Sequence, residues 1–292
     1  MVSFINESKT GPGPGPRNQG DVAISPAMRA VLERVSINMP WAFFHRYRDL
    51  VLDNRINVEL GFGAGELEET PIPEISEAVG ALRDRGCRIT AHGPFWDLCP
   101  GSIDPGIREV SRSRLLRLFE ILEHVRPAQI VCHTGFDPRH HRGHRAEWLE
   151  NSAAVWGHFI ERAERLGAPL LLENVWEEDP GPHLELFAKL DSPWFGFCLD
   201  TGHQNAFSKT PLERWLDATA GRLMEIHIHD NDGSDDHHLP VGRGNIDFDY
   251  LFGFLDANGL RPVLTLEPHR DEHLYACLDA LSRMESFKKF LK

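Results

Sequence analysis

Paired cysteines are missing from this sequence. The five present, Cys87, Cys99, Cys132, Cys198 and Cys277, are odd in number and form no CxxC pair. That speaks against a disulfide framework and fits a reducing compartment, with thiols packing as small apolar groups. Long apolar runs are missing too: none approaches the roughly 18 residues that a transmembrane helix needs. The N-terminus lacks a basic segment followed by an apolar one, so no secretory signal is expected. A cytoplasmic location and no membrane partner are therefore the expectation. Basic charge is in short supply, with 31 Lys and Arg against 44 Asp and Glu and a formal net charge of -13. Non-specific nucleic-acid binding depends on Lys and Arg neutralising phosphates, so a nucleic-acid partner is disfavoured. No GxGxxG or GxxxxGK[ST] follows a strand-like run. The main support for an open, doubly wound nucleotide-binding sheet is thus absent.

What is present is an ordinary globular composition, 41% hydrophobic and 26% charged over 292 residues. The length suits a single large α/β barrel. Residues 1–20 include Gly11-Pro12-Gly13-Pro14-Gly15-Pro16, which can sustain neither a helix nor a sheet ladder; a flexible tail is expected there. One folded domain is expected over 21–292, its structure starting near Ile24. From that point short apolar runs alternate with longer amphipathic ones. The runs are Val35–Met39, Asn57–Gly61, Cys87–His92, Gln129–His133, Pro169–Glu173, Phe195–Asp200, Leu223–His229 and Pro262–Glu267. Between them, Arg114–Leu122 and Trp148–Leu166 carry apolar residues at helical spacing. Strict βα alternation implies a parallel sheet, and eight repeats imply a closed (β/α)8 TIM barrel.

Six consecutive runs, the third to the eighth, end in residues that can bind metal. They lead to His92, to His133, to Glu173, to Asp200 with His203 three residues on, to His227 and His229, and to Glu267. In a (β/α)8 barrel the C-terminal strand ends converge at one mouth, so side chains far apart in sequence meet there. A single His or Glu at a strand end is ordinarily just a satisfied polar residue; six in succession share a geometric rule that packing does not explain. Imidazole and carboxylate together suit zinc, manganese or iron, and the lack of cysteine in the set argues against a structural zinc knot.

These residues carry a resemblance. The sequence resembles the xylose isomerase-like TIM-barrel superfamily (AP endonuclease family 2), which includes sugar isomerases, sugar epimerases and endonuclease IV. The most specific segments are Leu199-Asp200-Thr201-Gly202-His203 and Asp236-His237-His238-Leu239-Pro240-Val241-Gly242-Arg243-Gly244-Asn245-Ile246-Asp247. In the isomerases and epimerases one divalent metal is held by four residues that map here onto Glu173, Asp200, His227 and Glu267. The two glutamates, Glu173 and Glu267, are then the catalytic pair that moves protons beside a carbonyl. Endonuclease IV adds five ligands to make a three-zinc cluster, and these map onto His92, His133, His203, Asp236 and His238. All five are present as the required types, so the resemblance implies one to three divalent ions (Zn, Mn or Fe).

The family pattern puts the seventh-strand ligand three residues before an Asp, which selects His227. His229, two residues on, shares its strand face and stays open as an alternative. Spacing to Gly242-Arg243-Gly244 selects His238, with His237 one slip away. The completeness of the nine-residue set favours a hydrolase acting on a phosphodiester in a small metabolite. A multinuclear site can generate hydroxide and also neutralise phosphoryl and leaving oxygens. The wording of His92-Gly93-Pro94-Phe95-Trp96-Asp97 and Glu173-Asn174-Val175-Trp176-Glu177-Glu178 is similar to metabolic members, among them cobamide-remodelling phosphodiesterases. The alternative is a single-metal sugar or sugar-phosphate isomerase or epimerase. An AP endonuclease on DNA is disfavoured by the charge, and a non-catalytic barrel by the intact ligands.

Three further features bear on substrate. Pro138-Arg139-His140-His141-Arg142-Gly143-His144-Arg145 is a basic patch directly after a candidate ligand, so Arg139, Arg142 and Arg145 are candidate clamps for a small anionic substrate. A solvated polar loop explains the same residues equally well. Trp96 and Trp176, just beyond strand-end ligands, are candidate walls for a ring-shaped substrate, or simple loop packing. Glu59 ends the second run away from the strongest motifs, and Cys132 and Cys198 read as barrel packing residues.

Overall fold

The computed structural model describes residues 24–292. The expected Gly/Pro-rich tail, 1–20, lies outside the described residues. Eight strands pair in parallel, each with the next in chain order and the last with the first, closing a barrel. They are β1 (Ser36–Pro40), β2 (Asn57–Gly61), β3 (Ile89–His92), β4 (Ile130–His133), β5 (Leu170–Glu173), β6 (Phe195–Asp200), β7 (Leu223–Ile228) and β8 (Val263–Leu266). Every expected strand is present, trimmed by a residue or two at several ends. Glu267 sits one residue past β8, and His229 one past β7.

Most of these strands are short apolar runs because both faces are buried, one against the barrel axis and one against the helices. Helices over Pro105–Val125 and Arg145–Leu166 enclose the expected helical segments. Their caps are legible. Asp104 accepts hydrogen bonds from the N–H groups of Gly106 and Ile107, with Pro105 at the first helical position. Gly167 ends the second helix at φ +73°, in the left-handed region that glycine adopts without steric penalty.

The helical layer packs on the barrel through fully buried Trp148, Trp156, Phe159, Trp215, Phe252 and Phe287. Each such side chain contributes roughly 1.5–3 kcal/mol by leaving water. Inside the barrel the packing is partly polar. Ser36, Glu59, Thr90, Glu225 and Thr265 are fully buried there. Gln129 Nε2 donates to Glu225 Oε2 at 2.6 Å and Thr265 Oγ1 donates to Glu225 Oε1 at 2.5 Å, so Gln129, Glu225 and Thr265 satisfy one another. No helix among the described residues is long and apolar enough to cross a membrane.

Candidate metal centre

The C-terminal strand ends bring the candidate ligands into one buried cluster. Glu173, at the end of β5, occupies its middle. Its Oε2 lies 3.0 Å from His92 Nε2 and 3.2 Å from His133 Nε2; its Oε1 lies 3.0 Å from His203 Nδ1. On the β7 side, His227 Nδ1 is 3.1 Å from Glu267 Oε1, 3.6 Å from Glu173 Oε2 and 3.9 Å from Asp200 Oδ2. A third group forms where His203 Nε2 and His238 Nε2 lie 3.4 and 3.0 Å from Asp236 Oδ2.

Asp200 closes β6 and also caps the helix Thr201–Phe207, accepting the N–H of His203 at 2.6 Å. One carboxylate thus fixes the turn that aims the His203 ring. The loop carrying Asp236 and His238 is tied down by buried Asp230. Its Oδ2 accepts the N–H groups of Gly242 and Gly244 at 2.9 and 2.8 Å, and its Oδ1 those of Asn231 and Ile246 at 2.9 and 3.2 Å. Gly244 is required here: a Cβ on it would lie 2.0 Å from the Asn231 carbonyl oxygen. His238 itself has φ +45°, a left-handed conformation that costs a non-glycine residue roughly 1–2 kcal/mol. Strained backbone of this kind concentrates at functional sites.

His227 and His229 both turn inward. His229 Nε2 lies 3.0 Å from each oxygen of Asp200, and its Nδ1 lies 3.5 Å from Asp236 Oδ1. Its ring stacks on His238 at 3.7 Å, and His238 in turn stacks on His269 at 3.5 Å. His237 is half-exposed and faces Asp232, so His238 is the member of that pair within the cluster. His229 had a sequence signal in the period-2 alternation of a strand. His269, two residues beyond Glu267, had none.

The electrostatics are those of a proton-filled ligand set. Burial disfavours the charged form of each group, yet the mutual attraction of imidazoles and carboxylates overrides it in most cases. His92 is pushed up to about 9: burial pulls it down, but the hydrogen bond and charge of Glu173 outweigh that. His203 and His227 are raised well above the ordinary histidine value against the same burial, His203 by Asp200, Asp236 and Glu173, His227 by Cys198 and the surrounding glutamates. Glu173 and Glu267 are held below the usual carboxylate range: burial raises them, and His227, with His133 beside Glu173, more than compensates. His133 goes the other way, because burial dominates. Glu177, buried just beyond β5, is pushed by burial up to about 7 despite accepting from Thr134 Oγ1 and the Val175 N–H.

The donor set fits divalent cations. Buried His227 Nδ1, His229 Nδ1 and Asp236 Oδ1 have no hydrogen-bond partner among the described residues, and such orphaned groups call for an unseen partner. Three-residue groups with ligand atoms within 4.8 Å of one another include His92/His133/Glu173, Glu173/Asp200/His203, His203/Asp236/His238 and His229/His238/Glu267. All are oxygen and imidazole nitrogen donors, suited to zinc, manganese or iron.

The candidate clamp residues Arg139, Arg142 and Arg145 lie in ion pairs at the rim. Each is tied to a carboxylate. Arg139 donates to both oxygens of Asp137 at 2.7–3.0 Å, Arg142 to Glu178 at 2.6 Å and Arg145 to Glu185 at 2.8 and 3.1 Å. The guanidinium of Arg139 also covers the Trp176 ring at 4.9 Å, and Trp176 contacts Phe207 at 4.3 Å. Trp96 is 53% exposed and packs against Phe95 rather than on the cluster. Phe95, unmarked in the sequence, stacks on His133 at 4.5 Å.

The chain belongs to the xylose isomerase-like TIM-barrel family, whose model matches residues 56–289. The uncharacterised protein MJ1311 of Methanocaldococcus jannaschii is 30% identical over 224 residues, covering 72% of this chain and 73% of that one. Among solved structures, the TTHB071 protein of Thermus thermophilus, from a crystal soaked with ZnCl2, is 27% identical with a TM-score of 0.70. The match covers 85% of this chain and 97% of that one. A D-tagatose 3-epimerase-like protein is 23% identical, covering 88% and 97%, with a TM-score of 0.72. D-psicose 3-epimerase of Clostridium cellulolyticum H10 shares the fold at 16% identity, covering 88% and 100%, with a TM-score of 0.70.

Proposed function

We propose that this barrel is a sugar or sugar-phosphate isomerase or epimerase, with a divalent ion held by Glu173, Asp200, His227 and Glu267. The observation that carries it is the buried Nδ1 of His227, which makes no well-formed hydrogen bond and is faced by carboxylates of all three other residues within 4 Å. An ion at that point supplies Lewis-acid polarisation of a substrate oxygen. The protein's part is proton movement: one of Glu173 and Glu267 takes a proton from the carbon beside the carbonyl, and the other returns one. Support also comes from the epimerases among the similar solved structures. The rim is compatible with a polyhydroxylated molecule: its arginines are each paired with a carboxylate. Phe95 supplies an apolar surface for the face of such a molecule.

A second reading is favoured by one specific observation. His92 with His133, and His203 with Asp236 and His238, form groups flanking the four-residue set. Nine such residues suit a multinuclear hydrolase of a phosphodiester in a small metabolite, in which bound ions would supply hydroxide and neutralise phosphoryl oxygens. Metal content per chain separates the two, measured by elemental analysis on untagged protein purified without chelator. Near one ion, not rising with added zinc, manganese or iron, together with turnover of ketoses, supports the isomerase. Near three supports the hydrolase and overturns the first reading. No bound metal after reconstitution sinks both.

A further inference from the structure

One layer below the cluster, on the barrel axis, Glu59 of β2 is completely buried. Its Oε1 accepts from Asn38 Nδ2 at 2.9 Å, across the β1–β2 register in which the two residues are direct neighbours. Its Oε2 lies 3.3 Å from His227 Nε2. Glu225 lies nearby with its oxygens accepting from Gln129 and Thr265, while the hydrogen-bond contact to Nε2 is made by Glu59. His227 therefore has a carboxylate behind one nitrogen and the ligand cluster before the other.

A neutral imidazole has one N–H and one lone pair, and an ionised carboxylate only accepts. We propose that Glu59 is a positioning residue for the metal centre: it holds the His227 proton on Nε2, so that Nδ1 presents its lone pair to the metal. Asn38 in turn holds Glu59. Neither residue touches metal or substrate. A carboxylate behind a ligating histidine fixes tautomer and ring orientation and raises ligand basicity. The arrangement also accounts for a carboxylate placed fully buried on the barrel axis, a position that is costly unless its oxygens are hydrogen-bonded. The inference rests on reading His227 as a metal ligand, and is indifferent to which reaction the centre performs.

The test uses the full-length protein loaded with zinc. In a two-bond 1H–15N correlation spectrum, the His227 ring, assigned by comparison with His227→Asn, is expected to show a protonated Nε2 and a metal-shifted Nδ1. In Glu59→Gln, zinc affinity at this site is expected to fall about 10–100-fold, with the metal-free protein melting close to the wild type. Asn38→Ala should lower affinity in the same direction and by less. A wild-type spectrum with Nε2 bound to zinc, or unchanged affinity in a folded Glu59→Gln, overturns the proposal. Should Glu59→Gln fail to fold, the wild-type spectrum alone decides. If the wild-type protein binds no zinc, the metal reading itself has failed, a result distinct from zinc bound through the wrong nitrogen.

Discussion

Gly202 lies flat against the ring of His229: a Cβ at position 202 would stand 1.9 Å from His229 Cε1 and 2.3 Å from Nδ1. The glycine in Asp200-Thr201-Gly202-His203 is what lets an imidazole from the end of β7 reach the Asp200 carboxylate at the end of β6. Gly202→Ala should therefore expel His229 or strain the turn. Overpacking of this kind costs typically about 1–3 kcal/mol. Thermal unfolding should show a clear drop, and metal content should fall with it. A variant matching the wild type in both would mean that the ring has room to move.

Asp230 offers a second lever. Its carboxylate gathers four backbone N–H groups of the loop that carries Asp236 and His238. Hydrogen bonds to a charged group are worth roughly 1.5–3 kcal/mol each when made. Asp230→Ala should free the amides of Gly242, Gly244 and Ile246 to exchange with solvent much faster. Unchanged protection at those amides would show that the loop is held by something else.

The proton-filled cluster predicts opposite pH trends with and without metal. His92 has a folded pKa near 9 against an ordinary 6.5. Its contribution is fully present below about pH 6.5 and is lost as pH rises through 9. Glu173 and Glu267 are depressed from 4.5, so their contribution is present above that value and lost as pH falls. From His92, Glu173 and Glu267 alone, metal-free protein gains stability above about pH 4.5 and loses it as pH rises toward 9, while buried His133 and His183, whose values are lowered by burial, work against stability below about pH 6.5. Metal binding displaces these protons, so zinc affinity should rise over the same range. Unfolding curves of chelated and zinc-loaded protein from about pH 5 to 9 would check this; parallel curves would refute it.

His203 and Asp236 distinguish the two chemistries. Replacing either with Ala removes the third ligand group. An isomerase centred on Glu173, Asp200, His227 and Glu267 should keep most of kcat and change chiefly in KM. A multinuclear hydrolase should lose nearly all turnover. Steady-state kinetics on ketose and phosphodiester substrates gives the answer directly.

Phe95 is expected to matter for binding and not for metal. It stacks on His133 yet remains 39% exposed at the mouth. Phe95→Ala should raise KM several-fold, in line with roughly 1 kcal/mol for an aromatic contact, while metal content stays constant. Loss of metal in that variant would assign the ring a structural role under His133.

The sequence by itself determined the barrel and the chemical character of its mouth. The alternation of apolar strand runs and amphipathic helices needs no long-range information, and the fold rule then sends six polar strand ends to one place. Which residues would share that place was therefore legible for His92, His133, Glu173, Asp200, His203 and Glu267, and left between His227 and His229 for the seventh strand. What only the tertiary structure decided were pairings between distant segments. Period-2 alternation allows His227 and His229 the same face, but space for both exists only because Gly202 lacks a side chain. The basic run from Arg139 to Arg145 reads as a candidate anion clamp or a solvated loop, and the pairing of Arg142 and Arg145 with Glu178 and Glu185 is set by the fold. Glu59 looked peripheral because its strand lies outside the run of ligand-bearing ones. Barrel closure puts it behind His227, 168 residues away. A local pattern records which face a residue is on, whereas the partner across the barrel is set by closure and by the shapes of all the side chains between.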